Sequence, residues 1–399
     1  MTLQSALPLY RTSETSQQPI EGEAFQTTTH SRRPWTINGD FVTLQPQGVA
    51  RYAREVTVAL DELMSEEHPL THGLDIEILA PRPPSQSLEL KRIGFRILPE
   101  FNKPRLPQLW VQMQLPRHVE GGLISFCNLG PVRVPRHIVC IHDLQTRLVP
   151  ESYSLPFRLA HHLILPMLGR RAEYVTTVSG LSSNLLTQYK VVPAEKIVVT
   201  YNGADHASRW REDSGEVNFN FNRPFALCIG RRESHKNIDL LLRLAEPLDR
   251  LGVDLVMVGS LEPAFLEQSG HAKAKNLHRV GRVSDNDLAA LLSRALCFLL
   301  PSRMEGFGLP AVEAMVRGCP VVASTSPCLP EICDAAALLA DPDDDDAWVA
   351  AVRDLLDNPE LRIRLSCAGR NRAAAFSWRK IALTYLSLMQ ESDRRDKRL

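Results

Sequence analysis

Short apolar runs alternate with amphipathic stretches from about residue 34 onward. The first runs predict strands at 34–39 and 74–80, separated by a helix over 49–65, and this order opens a parallel sheet. Seven prolines over 81–120 predict a stretch without regular elements. Beyond it, apolar runs predict further strands, with a helix over 156–173 inserted among them, at 123–127, 137–143, 174–179 and 196–203.

A second alternating series begins after residue 222. It predicts strands at 225–230, 255–260, 277–281, 296–301 and 320–324. Helices are predicted after these strands and at the end of the chain, over 236–251, 262–270, 285–295, 310–317, 345–357, 359–375 and 377–390. The pattern therefore indicates an α/β protein with two doubly wound parallel sheets, in which ligands bind at the carboxyl ends of strands.

This pattern also suggests how the chain is divided. Residues 1–32 are rich in Ser, Thr and Gln and are expected to form a disordered extension. A first sheet domain is expected over 33–204 and a second over 223–376. A polar linker over 205–222 joins them, and the segment 377–399 closes the chain with a helix.

Composition narrows the function classes. The 399 residues hold 46 Lys and Arg against 46 Asp and Glu, and only 6% are aromatic, which argues against a nucleic-acid partner. The eight Cys show no paired spacing, so core thiols are expected and neither a disulfide framework nor a metal site. No run of 18 apolar residues and no secretory signal is present, which favours a cytoplasmic location.

The segment 301–322 carries the strongest chemical signal. A predicted strand leads into a glycine-rich loop with Gly306 and Gly308, and Pro310 suits the first position of the next helix. Glu305 in the loop and Glu313, expected on the first turn of that helix, can point into one pocket. A helix start preceded by small residues binds anions such as phosphate, and a nearby carboxylate accepts hydrogen bonds from sugar hydroxyls. Turn chemistry alone would explain either feature taken singly.

The same segment fits the dinucleotide fingerprint G-x-G-x-x-A through Gly306, Gly308 and Ala311, so an NAD-dependent oxidoreductase is an alternative. That fingerprint requires an acid at the end of the next strand to bind ribose. Here the strand ends in Ser324, Thr325 and Ser326. The missing acid disfavours the NAD hypothesis.

A second loop, at 230–237, follows the first strand of the second series. Gly230 permits a tight turn, and the loop crowds Arg231, Arg232, His235 and Lys236. Like charges held together favour an anionic partner such as a diphosphate. A solvated basic loop is the alternative.

These motifs resemble those of group 1 glycosyltransferases (glycosyltransferase family 4). The resemblance rests on Gly-Arg…Lys-Asn at 230–237, Val-Gly-Arg at 280–282 and the E-x7-E block at 305–313. Supporting landmarks lie at 46–56, 141–144, 176–186 and 198–205. It implies a GT-B fold, in which two Rossmann-like domains face a cleft and the last helix crosses back to the first domain. The first domain would then bind the acceptor and the second the nucleotide-sugar donor.

The resemblance further implies retaining transfer from a nucleotide-diphosphate sugar, with a weak preference for GDP-mannose and no cofactor or metal. Arg231 and Lys236 would stabilise the departing nucleotide, Glu305 and His142 would hold the donor sugar, and Glu313 would hold the ribose. Backbone contributions would come from Gly48, Gly230, Val280, Gly281, Gly306, Phe307, Gly308 and Leu309. A sugar-nucleotide-binding protein without turnover is a further alternative. For His142 the alternative is a capping pair with Asp143.

Three remaining features leave alternatives open. The acidic run 341–346 favours a helix cap over a metal site. The stretch 81–117 carries seven Lys or Arg against two Glu, which suits an ordinary solvated face or contact with an anionic membrane and a lipid-diphosphate acceptor. The apolar run 159–169 suits core packing better than an interfacial helix. The overall hypothesis is a glycosyltransferase of surface polysaccharide synthesis, acting in the cytoplasm or at the inner face of the membrane.

Overall fold

The computed structural model describes residues 32–45, 47–99, 109–217, 219–230, 233–259 and 274–396. The predicted extension over 1–32, apart from Arg32, and the predicted helix over 262–270 lie outside these ranges. The side chain of Arg32 pairs with Asp75 at 2.6 Å, so it is part of the folded structure.

The first domain is built on a seven-stranded sheet in which all paired strands are parallel. Its strands, in chain order, are β1 Arg33–Asn38, β2 Leu74–Ala80, β3 Gly94–Ile97, β4 Gly122–Ser125, β5 His137–Cys140, β6 Tyr174–Thr177 and β7 Ile197–Val199. Their spatial order is β3-β2-β1-β4-β5-β6-β7. The helices are α1 Val49–Ser65, α2 Gln145–Leu148, α3 Leu155–Arg171 and α4 Gly180–Gln188.

The second domain has a six-stranded parallel sheet of order β10-β9-β8-β11-β12-β13. Its strands are β8 Phe225–Ile229, β9 Asp254–Val258, β10 Leu277–Gly281, β11 Cys297–Leu300, β12 Val321–Ser324 and β13 Ala337–Ala340. Its helices are α5 Ile238–Arg250, α6 Asp285–Arg294, α7 Leu309–Val316, α8 Cys328–Cys333, α9 Asp345–Asp357 and α10 Pro359–Ala373. The last helix of the chain is α11 Trp378–Asp396.

The predicted α/β class and the two doubly wound sheets are confirmed, because each apolar run forms a strand that is buried by helices. The prediction that 81–120 lacks regular elements is wrong at β3, which pairs in parallel with β2. All four residues of β3 are exposed, so this edge strand has no buried face that a hydrophobic pattern could reveal.

Helix α11 extends along the first domain and ends in a buried ionic cluster. Asp393 accepts hydrogen bonds from Arg33 Nε at 2.5 Å and Trp35 Nε1 at 3.1 Å, and it pairs with Arg136. Near the start of the helix, Asp205 accepts from the backbone N–H of Trp378 at 3.0 Å. Both ends of α11 are therefore fixed by carboxylate hydrogen bonds.

Replacing Asp393 tests how much this cluster contributes. Asp393→Ala leaves two arginines without their shared buried partner, so we expect the free energy of unfolding to fall by about 3 kcal/mol. Asp396→Ala is the matched control, because Asp396 binds Arg136 from the solvent side of the same helix and should cost at most about 0.5 kcal/mol. Urea unfolding measures both. Equal losses in the two variants would contradict the assignment.

Candidate active site

The candidate site lies where the direction of strand order reverses in the second sheet. Strand β8 pairs with β9 on one side and β11 on the other, so the loops after β8 and β11 meet at the carboxyl edge. The N–H of Arg303 donates to the carbonyl of His235 at 2.7 Å. Asn237 Nδ2 donates to the carbonyls of Pro301 at 3.2 Å and Pro342 at 2.9 Å. The two loops predicted to carry chemistry are thus joined to each other.

Lys236 and Glu305 form an ion pair between these loops. Lys236 Nζ donates to Glu305 Oε1 at 2.8 Å. Burial would raise the pKa of Glu305, but the charge and hydrogen bond of Lys236, with help from Ser302, outweigh it and lower the pKa. Glu305 is therefore an ionised carboxylate although the residue is only 8% exposed. An ammonium has three donors, so Lys236 can hold Glu305 and still bind a phosphate oxygen.

His235, which the sequence groups with the basic residues of this loop, is buried and does not behave as a surface cation. Burial, followed by the neighbouring charge of Lys236, lowers the pKa of its imidazole. Its Nδ1 lies 3.3 Å from Ser152 Oγ of the first domain. The residue links the two domains instead of adding a free charge.

The loop before α7 passes close to the first domain. A Cβ added to Gly306 would lie 3.3 Å from Asp143 Oδ2 and from the carbonyl oxygen of His142. Gly308 has φ of 86°, and a Cβ there would lie 2.5 Å from Leu329 Cδ2. Gly306 thus permits a close approach between the domains, and only Gly308 has the positive φ that favours glycine at the turn before α7.

The side chains of Phe307 and Leu309 point into the protein, since both residues are buried. The ring of Phe307 packs edge-on against Phe376, with centroids 5.3 Å apart. Any contact of these two residues with a ligand is consequently limited to their backbone amides, which stand at the N-terminus of α7.

Glu313 lies on the second turn of α7, because the helix begins at Leu309, and not on the first turn as the sequence suggests. It accepts a hydrogen bond from His206 Nε2 at 2.9 Å. The indole N–H of Trp378 donates to His206 Nδ1 at 3.0 Å. An indole nitrogen can only donate, so His206 Nδ1 is the acceptor of this bond. The ring hydrogen is therefore on Nε2, which donates a hydrogen bond to Glu313. The first residue of α11 thereby fixes the orientation of Glu313.

Arg51 of α1 reaches the same carboxylate from the first domain. Its Nε lies 3.7 Å from Glu313 Oε1, and its terminal nitrogens bind Asp285 with two bonds of 2.9 and 2.7 Å. Glu313 therefore sits where the two domains meet. Both members of the E-x7-E block face the first domain, Glu313 toward Arg51 and the loop of Glu305 toward Asp143.

His142 ends the strand region of β5 and is buried. Its Nε2 donates to the carbonyl of Phe126 at 2.7 Å, and its backbone N–H donates to Asn128 Oδ1 at 2.7 Å. Burial lowers the pKa of His142 to about 4, so the ring is neutral at physiological pH and Nδ1 keeps a lone pair. Burial also raises the pKa of Asp143, which the positive charge of Lys236 partly offsets.

The remaining predicted glycines also lie at strand ends or helix starts. Gly48 precedes α1 with φ of 51° and ψ of −118°, and a Cβ there would meet no atom within 4 Å. The N–H of Gly230 donates to the Val258 carbonyl, and the Gly281 carbonyl accepts from Gly259, both at 2.7 Å. Val280 is the penultimate residue of β10 and partly buried. Arg231 and Arg232 lie outside the described residues.

Sequence reasoning assigned no site role to Arg51, His206 or Trp378, and it considered Asp143 only as a capping partner of His142. His206 directly follows the 198–205 landmark, and this adjacency is the one signal that could have identified it. The acidic run is a helix cap, as predicted, because Asp344 accepts from the backbone N–H of Ala347 at the start of α9. Within the described ranges, no cluster of three or more His, Cys, Asp or Glu is arranged to hold a metal ion.

A double substitution tests the Lys236–Glu305 pair. Lys236→Met leaves a buried carboxylate without its cation, so we expect a loss of about 2 kcal/mol in the free energy of unfolding. Adding Glu305→Gln removes the uncompensated charge and should restore most of this loss. Denaturant unfolding of the single and double variants gives the coupling energy. Purely additive effects would show that the pair does not interact.

Comparison with known proteins gives the same assignment as the motifs. The model of the family "Glycosyl transferases group 1" matches residues 211–372. O-antigen chain mannosyltransferase B of Escherichia coli is 31% identical over 260 residues, which cover 62% of this chain and 68% of that protein.

Solved structures agree on the fold. WaaG, a glycosyltransferase involved in lipopolysaccharide biosynthesis, superposes with a TM-score of 0.65 at 15% identity and covers 89% of this chain and 99% of its own. The Anabaena protein Alr3699/HepE, solved with UDP and glucose, gives a TM-score of 0.66 at 15% identity and covers 90% and 99%. The motifs, the paired sheets and these relatives together establish that the chain belongs to the group 1 glycosyltransferases and is a hexosyltransferase with the GT-B fold.

Proposed function

We propose that this enzyme transfers mannose from GDP-mannose, with retention of configuration and without a metal, to a glycan or lipid-linked acceptor of a surface polysaccharide. The observation that carries the proposal is the buried Lys236–Glu305 ion pair at the carboxyl edge of the second sheet, in a loop that passes against His142 and Asp143 of the first domain. Glu313, eight residues further along, faces Arg51 of the same domain. The bond between the sugar and the diphosphate breaks while a bond to the acceptor oxygen forms, and the proton of the acceptor hydroxyl passes to the departing diphosphate. The negative charge that develops on the leaving diphosphate needs fixed cations beside it.

Each residue then has a distinct task. Lys236 and, by the family resemblance, Arg231 would pair with the diphosphate, and the amides at the start of α7 would bind phosphate oxygens. Glu305 would accept from hydroxyls of the donor sugar, and His142 Nδ1 could accept another. Glu313 would bind the ribose hydroxyls, while Gly48 leaves open space for the donor on the first-domain side. The relative's activity as a mannosyltransferase supports mannose, whereas HepE binds UDP, so the base requires a direct test.

The residues at the end of β12 argue against an NAD-dependent oxidoreductase. The hydroxyls of Ser324 and Ser326 both donate to the carbonyl of Ser302 at 2.5 Å. Both side chains are buried and their hydroxyls are already hydrogen-bonded within the protein. Neither residue is the acid that binds the ribose of a dinucleotide. The match to a family of transferases argues against a non-catalytic sugar-nucleotide-binding protein, and a turnover measurement tests this directly. The acceptor's attachment to lipid would bring the enzyme to the inner face of the membrane.

Ligand-induced stabilisation tests the donor and the role of Glu313. Among GDP-, UDP- and ADP-sugars and NAD, we expect GDP-mannose to give the largest rise in Tm. Glu313→Gln should weaken nucleotide binding by about 10- to 100-fold, since a charge-assisted bond to ribose is lost. His206→Ala should weaken it less, because Glu313 loses only its orientation. Glu360→Gln, an exposed carboxylate on α10, is the control.

The results of these binding measurements test the donor base, the role of Glu313 and catalytic turnover separately. A larger shift with a UDP-sugar would overturn the choice of base but not the site. Unchanged affinity in Glu313→Gln would overturn the site. A ligand that binds but yields no product with mannosyl acceptors would favour the binding protein.

The pH profile tests the ionisation states. Glu305 is ionised above a pKa lowered from its ordinary value of 4.5, and His142 is neutral above about 4. The Lys236–Glu305 pair is therefore present at neutral pH and lost only as the pH falls through that lowered pKa. We expect neither group to impose an inflection in kcat/KM near the usual histidine pKa of about 6.5. An inflection there that disappears in His142→Asn would contradict this assignment.

A further inference from the structure

Helix α3 of the first domain carries a ridge of apolar side chains that face solvent. The ridge consists of Leu155, Leu159, Leu163 and Met167, which are 62%, 55%, 66% and 48% exposed. Residues four apart on an α-helix are offset by only about 40°, so all four fall within an arc of about 120°. Single exposed apolar side chains are ordinary on protein surfaces. A row of four such side chains along one helix face instead indicates a binding surface.

The opposite face of α3 holds the helix in place. His161, Leu165, Leu168 and Gly169 are buried there, and both leucines belong to an apolar cluster with residues of β5 and β6. The expectation that 159–169 packs in the core is thus correct for one face and wrong for the other. Because the buried face anchors the helix, the ridge is a fixed feature of the surface.

The charges of α3 have a single sign. Its sequence contains Arg158, Arg170 and Arg171, two histidines and no Asp or Glu. Arg170 is exposed and falls on the same arc as the ridge. An apolar strip bordered by basic residues matches the interface of an anionic bilayer, where leucines enter the acyl boundary and arginines meet phosphate headgroups.

The ridge begins beside the cleft. In the turn just before α3, Ser234 Oγ of the second domain donates to Glu151 Oε1 at 3.0 Å, and Ser152 contacts His235. These second-domain residues immediately precede Lys236. A surface resting on α3 would therefore hold the catalytic cleft next to the bilayer, where a lipid-linked acceptor is presented.

We propose that the exposed face of α3 docks the enzyme on an anionic lipid bilayer through Leu155, Leu159, Leu163 and Met167, with its arginines on the headgroups. This inference rests on the proposed function for the lipid-linked acceptor but not for the docking itself. Within the described residues, no helix is long and apolar enough to cross a membrane.

Vesicle sedimentation of the full chain tests the proposal. We expect binding to phosphatidylcholine vesicles containing ~30% phosphatidylglycerol, and much weaker binding to pure phosphatidylcholine or at high salt. Leu159→Glu/Leu163→Glu should reduce the partition coefficient at least about tenfold, because charged groups replace the apolar anchors. Ile363→Glu is the matched control, since Ile363 is 65% exposed but lies on α10 of the second domain. It should bind vesicles like the unaltered chain.

Each outcome supports or overturns the docking surface. Unaltered protein that ignores anionic vesicles, or a double variant that still binds them, overturns it. Dimers in light scattering that the double variant dissociates would assign the ridge to a second copy of the chain and likewise overturn it. If the glutamate variant fails to fold, Leu159→Ser/Leu163→Ser replaces it. Because neither leucine belongs to the donor site, the Tm shift with GDP-mannose should persist, so failure of docking and failure of the donor assignment are distinguishable.

Discussion

The ion pair of Lys236 and Glu305 joins two loops whose residues are 69 positions apart in the chain. Parallel strand geometry brings them together, because β8 and β11 are neighbours although two strands intervene in sequence. Because both loops lie at the same edge of the sheet, Lys236 of the first loop is close enough to neutralise the buried carboxylate of Glu305. Gly306 of the second loop then lets this loop pass against His142 and Asp143. The position of the catalytic groups thus follows from strand order first and from charge pairing second.

The second carboxylate depends on a different part of the fold. Glu313 is held by His206, which lies in the connection between the sheets, and His206 is held by Trp378 of α11. The far end of α11 is anchored in the first domain by Asp393. Glu313 is therefore linked through two hydrogen bonds to α11. A substitution that shifts the start of α11 would therefore change the orientation of Glu313 through His206.

The fold was predictable from the sequence wherever burial imposes a pattern. The buried strands β8 and β11 appear as uninterrupted apolar runs, and β2 appears as an apolar run in which the exposed Asp75 and the half-buried Glu77 alternate with buried residues. Helix α1 was predicted over the range that the structure shows. Strand β3 has no buried side, and β13 has only one well-buried residue, so neither produced a signal. Glu305, Glu313 and Lys236 could be proposed from the sequence because glycines and a helix start mark their surroundings. Arg51 and His206 were missed because their roles are defined by partners 234 and 107 residues away.

The charge balance of the site explains why its loop carries extra cations. Glu305 is offset by Lys236, and Glu313 lies beside Arg51, which is itself shared with Asp285. These pairs leave little net positive charge for the two phosphates of a nucleotide donor. The amides at the start of α7 supply part of the missing field through the helix dipole. The rest must come from additional cations, and the sequence provides Arg231 and Arg232 within six residues of Lys236. A basic loop with more charge than its local ion pair consumes is what transfer from a diphosphate requires, whereas a glycosidase that only hydrolyses a neutral sugar has no such need.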